Sequence, residues 1–206
     1  LLIANIDDKP DIHNISAFFN HILERINWER DIHFQTETSI DTLDYSSKDL
    51  NVGSKVVMAA TGKPIRVLSK NIPELPSSLN AALINDGILA IQGSSIELYE
   101  DAPSQIAELI NVLEDVIDVD DFPLIIICDD PHFLASDFNN FLWATFTRSN
   151  PSHDVYGIKS KTEFKHWGCS GSLIIDARFK PHNAPPLIED EKITSRVDEF
   201  MKKLEY

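Results

Sequence analysis

The chain has 206 residues, 43% of them hydrophobic and 25% charged, with a formal net charge of −15 at pH 7. That length holds one domain or two small ones with a real core, and the acidic excess argues against a nucleic-acid surface, which needs clustered Lys and Arg. Two cysteines make no disulfide framework, no apolar run nears the roughly 20 residues that span a bilayer and no signal peptide is recognised, so the expected location is cytoplasmic, with membrane association at most peripheral. The chain opens on Leu1 inside a strand pattern, as expected of a fragment of a longer protein. Asp7 and Asp8 end that strand. Residues 15–26 carry Ile15, Phe18, Phe19, Ile22, Leu23 and Ile26 on one helical face, and 54–64 (SKVVMAATGKP) bring a second strand. Residues 71–83, with two prolines and a serine pair, read as a linker over the surface.

Beyond the linker, residues 87–93 (GILAIQG) form a compact strand. Asp101 can cap a helix whose stripe is Ile106, Leu109, Ile110 and Leu113. Residues 124–127 (LIII) suit a strand buried on both faces. Cys128, Asp129, Asp130 and Pro131 end it, and Ser136 or Asp137 can cap a helix with Phe138, Phe141, Leu142 and Phe146 on one side. Arg148 stands where a helix C-terminus favours a cation; Asn150 and Pro151 stop the helix. Asp154 opens DVYGI, and 173–177 (LIIDA) form the last strand. Residues 181–187 (PHNAPPL) must be extended, because three prolines exclude helix and sheet interior. Such an arm suits a crossing to another domain or subunit as well as a strap on its own. A final helix puts Ile193, Val197, Phe200, Met201 and Leu204 on one side.

The design occurs twice. Residues 1–34 lie against 124–157 without a gap, sharing Leu1, Ile3, Asp7, Phe18, Arg25, Asn27 and Asp31 with their counterparts. After six residues are dropped from the second copy, SKVVMAATGKP meets GSLIIDARFKP. The expected fold is a three-layer α/β/α sandwich of two related units with mainly parallel sheets. Residues 1–70 form the first unit, 71–84 the linker, and 85–206 the second unit with its proline-rich arm and C-terminal helix.

Asp7/Asp8 and Asp129/Asp130 end strands where open α/β sheets place ligand sites. Such pairs can hold Mg²⁺, as in a phosphoacceptor receiver domain, but the chain order fits that arrangement poorly and turn or cap duty is expected. His166 and Cys169 have zinc-ligand chemistry, with His132 and His182 as further donors, yet no second Cys pair completes a site. Residues 165–168 (KHWG) read as a loop whose Trp167 packs on a neighbouring surface. Trp143 is expected half in the core, and Trp28, which takes the place of Pro151, more exposed.

The ordered motifs resemble the C-terminal domain of UbiD family decarboxylases, named for 3-polyprenyl-4-hydroxybenzoate carboxy-lyase. The second copy supplies CDD, FLWATFTRSNPSHD and LIIDARFK; the first supplies DIHNISAFFNHILERINWERD, IDTLD and GSKVVMAATGK. The stretch from TFTRSNPSHDVYGI to SLIIDARFKPHNAPPL resembles long family members with extra C-terminal material. The resemblance implies reversible, non-oxidative decarboxylation of an aromatic or unsaturated acid, with quinone precursors among the substrates. It implies prenylated flavin mononucleotide and a divalent metal, bound mostly in a preceding flavin-binding domain of the same protein, and a homo-oligomer. No catalytic residue is expected here: Glu24, Arg25 and Glu29 fall on a helix end and turn, so the fragment alone should be inactive. Lys55 matches the lysine of the family's Gly-Ser-Lys, which approaches the flavin or its phosphate, and glycine ahead of it admits a close anionic group. Its counterpart is Ser172, whereas Asp176 keeps the aspartate of the family's Asp-Ala-Thr where the first copy has Ala59. The alternative is a non-catalytic oligomerisation module with no ligand.

Overall fold

Residues 124–128 are buried without exception, as an uninterrupted β-branched run requires when both faces of a strand are covered. They form the middle of the larger of three sheets in a computed structural model that describes residues 1–5, 10–47, 49–185 and 190–204. The strands are β1 (Leu2–Ala4), β2 (Ile32–Ser39), β3 (Val52–Ala60), β4 (Ala81–Asn85), β5 (Ile88–Gln92), β6 (Leu124–Cys128), β7 (Val155–Gly157), β8 (Ser160–Glu163), β9 (His166–Cys169) and β10 (Leu173–Asp176). The helices are α1 (Ile15–Leu23), α2 (Ala102–Leu113), α3 (Pro131–Ser136), α4 (Phe138–Thr147), α5 (Pro151–Asp154) and α6 (Glu191–Lys202).

The five-stranded sheet has the order β4-β5-β6-β10-β7, the three-stranded sheet β1-β3-β2, and β8 with β9 makes a hairpin. The mainly parallel sheets expected from the sequence are corrected to mixed ones. β5, β6 and β10 run parallel, but β4 and β7 pair antiparallel at the edges. In the smaller sheet β1 is parallel to β3 and β2 antiparallel to it. The physical reason lies in connections that carry no crossover helix between β2 and β3, β4 and β5, or β7 and β10. β2 and β7 enter beside the last strand directly after a tight turn, and β4 reverses into β5 at Gly87, whose φ of 71° and lack of a Cβ admit Leu68.

Alternation along the strands divides the core. Leu89, Ile91, Ile125, Ile127 and Ile174 meet Ile106 and Leu113 of α2 on one face of the larger sheet. On the other face Ala90, Ile126 and Ile175 meet Phe19 and Ile22 of α1, Phe141 of α4, and Ile32 and Met58 of the smaller sheet. Caps explain the acidic run between β6 and α4: Asp130 accepts from His132 and Phe133 N–H at the start of α3, and Asp137 accepts from Asn139 N–H at the start of α4. Of the two candidate caps, Asp137 is the one used.

Several local expectations change. Trp28 is 2% exposed rather than surface-lying, because its Nε1–H finds Pro123 O at 2.8 Å in the interior. Residues 166–169 are a strand, not a loop; the hairpin turns at Phe164 and Lys165, with φ of 49° and 64°. β4 begins inside the segment read as a linker and is held by four residue pairs to β5. Asp7 and Asp8 lie outside the described residues, as does the arm beyond Pro185.

Candidate functional site

Two turns with the same wiring lead into the strands that flank β3 and β10. Asn27 N–H donates to Asp31 Oδ2 at 3.0 Å, and Asn150 N–H donates to Asp154 Oδ2 at 2.6 Å. In both, the carbonyl of the Asn accepts the N–H groups three and four residues on. Ile32 then pairs with Met58, and Val155 with Ile175. The first turn holds its carboxylate close to exposed Arg30, at 2.6 Å. The second turns its carboxylate inward.

Asp154 is fully buried, and so are Asp176, Arg178 and Lys180, which alternate along the end of β10 and the loop after it. Arg178 forks onto Asp176, with Nε to Oδ1 at 2.9 Å and Nη2 to Oδ2 at 2.7 Å, while Nη1 reaches Ser94 O and Gln105 Oε1. Lys180 Nζ donates to Arg148 O at 2.7 Å and Asp176 O at 2.5 Å and stands 3.5 Å from Asp154 Oδ1. Tyr99 OH donates to the same Asp154 oxygen at 3.0 Å. Burial lowers the pKa of the Lys180 ammonium and raises those of the Asp154 carboxyl and the Tyr99 hydroxyl, and the two opposite charges on Lys180 and Asp154 partly restore their ionised forms. Every donor of this cluster is engaged within the chain. Its chemistry is that of a clamp tying β10 to α4 and to the Asn150 turn.

The clamp reaches the surface at Arg148. Asp129 Oδ2 accepts Arg148 Nη1 and Phe179 N–H, both at 2.9 Å, and the guanidinium lies over Trp143 at 5.1 Å and Phe179 at 5.9 Å. Arg148, Trp143, Phe179 and Phe146 line a cleft of about 930 Å³ together with Asp41, Asp44 and Tyr45. Trp143 is thus 53% exposed.

Lys55 sits on β3 with its side chain outward, and Nζ donates to Ser39 O at 3.1 Å. The neighbouring Ser54 is buried, bonds Asn150 Oδ1 and accepts Ser152 N–H at 2.7 Å, joining β3 to the second turn. The counterpart Ser172 is buried, and Ala59 carries no charge where Asp176 anchors Arg178. The zinc-type residues are dispersed. Cys169 Sγ approaches Gly171 O, His166 packs on His33 at 5.3 Å, His182 on Tyr99 at 4.9 Å, and His132 meets Asn80 Oδ1. Among the described residues no group of three or more His, Cys, Asp or Glu is arranged to hold a metal ion. Asp129 and Asp130 serve Arg148 and a helix cap respectively. Glu24 and Arg25 pair at the end of α1, in keeping with a structural role.

Sequence reasoning passed over Tyr99, Arg178 and Lys180. A signal was present in DARFKP: opposite charges at every second position, directly after an apolar strand, stay on one side of the chain and can neutralise one another.

Residues 2–60 match the family described as 3-octaprenyl-4-hydroxybenzoate carboxy-lyase C-terminal domain. The chain is 30% identical over 187 residues to an uncharacterized protein of Chlamydia trachomatis serovar D, covering 90% of this chain and 31% of that protein. It is 29% identical over 195 residues to a Chlamydia pneumoniae protein named as a subunit of 4-hydroxybenzoate decarboxylase, covering 94% and 32%. The chain thus spans about a third of the length of the curated relatives it matches. Among solved structures, vanillic acid decarboxylase of Sedimentibacter hydroxybenzoicus in its closed form is similar over 86% of this chain and 44% of that one, at 14% identity and a TM-score of 0.40. No helix among the described residues is long and apolar enough to cross a membrane.

Proposed function

Taking as premise that residues 2–60 belong to the C-terminal domain of the UbiD carboxy-lyase family, we propose that this chain is the C-terminal region of a decarboxylase whose chemistry is carried elsewhere in the protein. The observation that carries the reading is the match to the Chlamydia pneumoniae protein named as a subunit of 4-hydroxybenzoate decarboxylase, which runs through 94% of this chain but only 32% of that protein. The engaged donors of the Asp154–Lys180 clamp agree with a region that supports a site rather than containing it.

In this reading the parent protein removes carbon dioxide from an aromatic or unsaturated acid, a quinone precursor being one candidate. Prenylated flavin mononucleotide and a divalent metal are held by a flavin-binding domain outside this chain, and Lys55 offers an ammonium to the cofactor's phosphate from the exposed face of β3. The parent works as a cytoplasmic homo-oligomer, and the name of the Chlamydia pneumoniae relative, as one subunit of its enzyme, favours a further partner. The paired Asn–Asp turns and the shared β2–β3 and β7–β10 registers support reading the two units as copies of one ancestor.

The test is carbon dioxide release from hydroxybenzoates by the parent protein produced with a source of prenylated flavin, alongside its Lys55→Ala variant. Release by the parent, with flavin retention lowered several-fold in the variant, is the expected result. A cofactor-loaded parent that decarboxylates none of a panel of aromatic and unsaturated acids would sink the reading. Equal flavin retention by both proteins would remove Lys55 from it.

A further inference from the structure

The chain leaves β5 and β6 toward opposite faces of the larger sheet. After β5 it enters α2, whose Ile106 and Leu113 cover Leu89 and Ile91. After β6 it enters α3 and α4, whose Leu134 and Phe141 lie on the other side with Ala90 and Ile126. β5 and β6 are adjacent and parallel, and their last paired residues are Gln92 and Cys128. Connections that part in this way open a crevice beyond the carboxyl ends of the two strands, where open α/β sheets hold ligands. A cavity of about 300 Å³ lies there, at the small end of the range for ligand sites. Gly93 and Ile127 line it from the two strand ends, and Arg178 from the loop after β10. A Cβ on residue 93 would stand 2.6 Å from Arg178 Cδ and 2.7 Å from Ile127 Cγ2, so glycine is what leaves this arginine its place.

Ser78, Asn80, Gln92, Ser94 and Gln105 give the lining its other polar groups, and Leu79, Ile106 and Leu109 join Ile127 as its apolar ones. The chain carries 33 acidic residues, yet among the described residues none of those lining this cavity is Asp or Glu. The carboxamide oxygens are already in use. Arg178 Nη1 donates to Gln105 Oε1, Asn80 Nδ2 donates to Gln92 Oε1 at 3.0 Å, and Asn80 Oδ1 faces His132 Nε2 at 3.2 Å. Each amide nitrogen carries two hydrogens. Asn80 uses one on Gln92, Gln92 uses one on Asp129 O, and Gln105 uses neither on a described residue. What remains beside the arginine is a set of N–H donors and serine hydroxyls. Such a lining fits a ligand that brings acceptors.

Asp176 sets how much charge that ligand can carry. Its two bonds to Arg178 neutralise the guanidinium, leaving little to offset a second negative charge taken out of water. A single carboxylate satisfies the donors without that cost, and the isoleucine and leucine side chains suit a ring or short alkyl body behind it. We propose that the crevice beyond β5 and β6 binds a small monocarboxylic acid, its carboxylate taken by the carboxamide N–H groups beside Arg178 and its apolar body by Leu109 and Ile127. The proposal does not depend on the carboxy-lyase reading.

The experiment photolabels the whole protein with 4-azidobenzoate and maps the label by mass spectrometry of its peptides, which confines the reading to this crevice whatever else the protein binds. Label is expected in the segments 78–80, 92–94 or 105–109, lowered several-fold by excess benzoate and unmoved by benzamide or inorganic phosphate at the same concentration. Gln105→Glu keeps an acceptor for Arg178 while replacing the amide N–H groups with a like charge, and should lower the label several-fold. Ser78 is exposed at the cavity, so its charge variants leave the core untouched. Ser78→Lys should raise the label and Ser78→Glu lower it. Absence of label from all three segments overturns the proposal, as does protection by benzamide or phosphate equal to that by benzoate. Label in these segments that responds to neither Ser78 variant overturns it too.

Discussion

Cys128 and Cys169 are buried thiols whose pKa is pushed up to about 12, by burial first and by nearby carboxylates second. Two consequences belong to these residues alone. A thiol reagent at pH 8 should leave both unlabelled in the native protein and label both in denaturant. The second consequence concerns alkaline stability. Above the ordinary value near 9.0 the unfolded chain loses these protons while the folded chain keeps them, so stability falls as pH rises from about 9 toward about 12. Each thiol contributes a slope of up to about 1.4 kcal/mol per pH unit. Urea midpoints at pH 8.5 and 10.5 should therefore differ more in the native chain than in the Cys128→Ala, Cys169→Ala variant; equal differences would show that other groups carry the effect. Lys180 marks where residue-scale reading of the sequence ends. A lysine after a strand ordinarily leads to solvent, and only partners supplied from β10, α4 and the Asn150 turn make its burial affordable. Asp176 is announced by the alternation in DARFKP, but Asp154 and Arg148 O converge on Lys180 only through the fold. Trp28 is the same case, its buried position resting on Pro123 O far along the chain.

At the scale of elements, the Asn27–Asp31 and Asn150–Asp154 turns share hydrogen bonds and differ in what lies behind the carboxylate. Asp31 faces an exposed arginine; Asp154 faces a buried ammonium and a half-buried tyrosine's hydroxyl. Asp31→Ala should cost about 1 kcal/mol, the usual loss of a capping contact. Asp154→Ala should cost about 3 kcal/mol or more, because it also strips the buried Lys180 of an opposite charge. Denaturant unfolding of the two variants measures the difference, and equal losses would deny Asp154 any role beyond its turn. The elements themselves were largely legible. β5, β6 and β10 announce themselves as dense apolar runs, and α1, α2 and α4 as stripes at three- and four-residue steps. The β8–β9 hairpin was not, because SKTE is wholly exposed and lacks alternation, and its turn uses Phe164 and Lys165 at positive φ rather than glycine or asparagine. Strand direction was hidden for a similar reason: the pattern that shows a strand is buried does not say which way its neighbour runs.

The whole molecule is joined by one apolar cluster that crosses from the first unit to the second. Phe19 meets Phe138 and Phe141 edge-on, each at a 5.5 Å ring separation, and Ile22, Ile26 and Trp28 lie in the same cluster as Leu124, Ile126 and Ala144. The smaller sheet has three strands, and its Ile32, Met58 and Ala60 are buried in that common core. A three-stranded sheet that owes its burial to its neighbour has little to stabilise it alone. The 206-residue chain should therefore unfold in a single calorimetric transition, and residues 1–70 produced separately should show no cooperative transition. The aromatic contact makes the coupling measurable from within. Phe19→Ala and Phe141→Ala should each cost about 3–5 kcal/mol, and the double variant should cost less than their sum by about 0.5–1.5 kcal/mol, the interaction of an edge-to-face pair. Simple additivity, together with two resolved transitions, would mean that the units fold independently and merely touch. Residual cooperativity in residues 1–70 alone would mean the same.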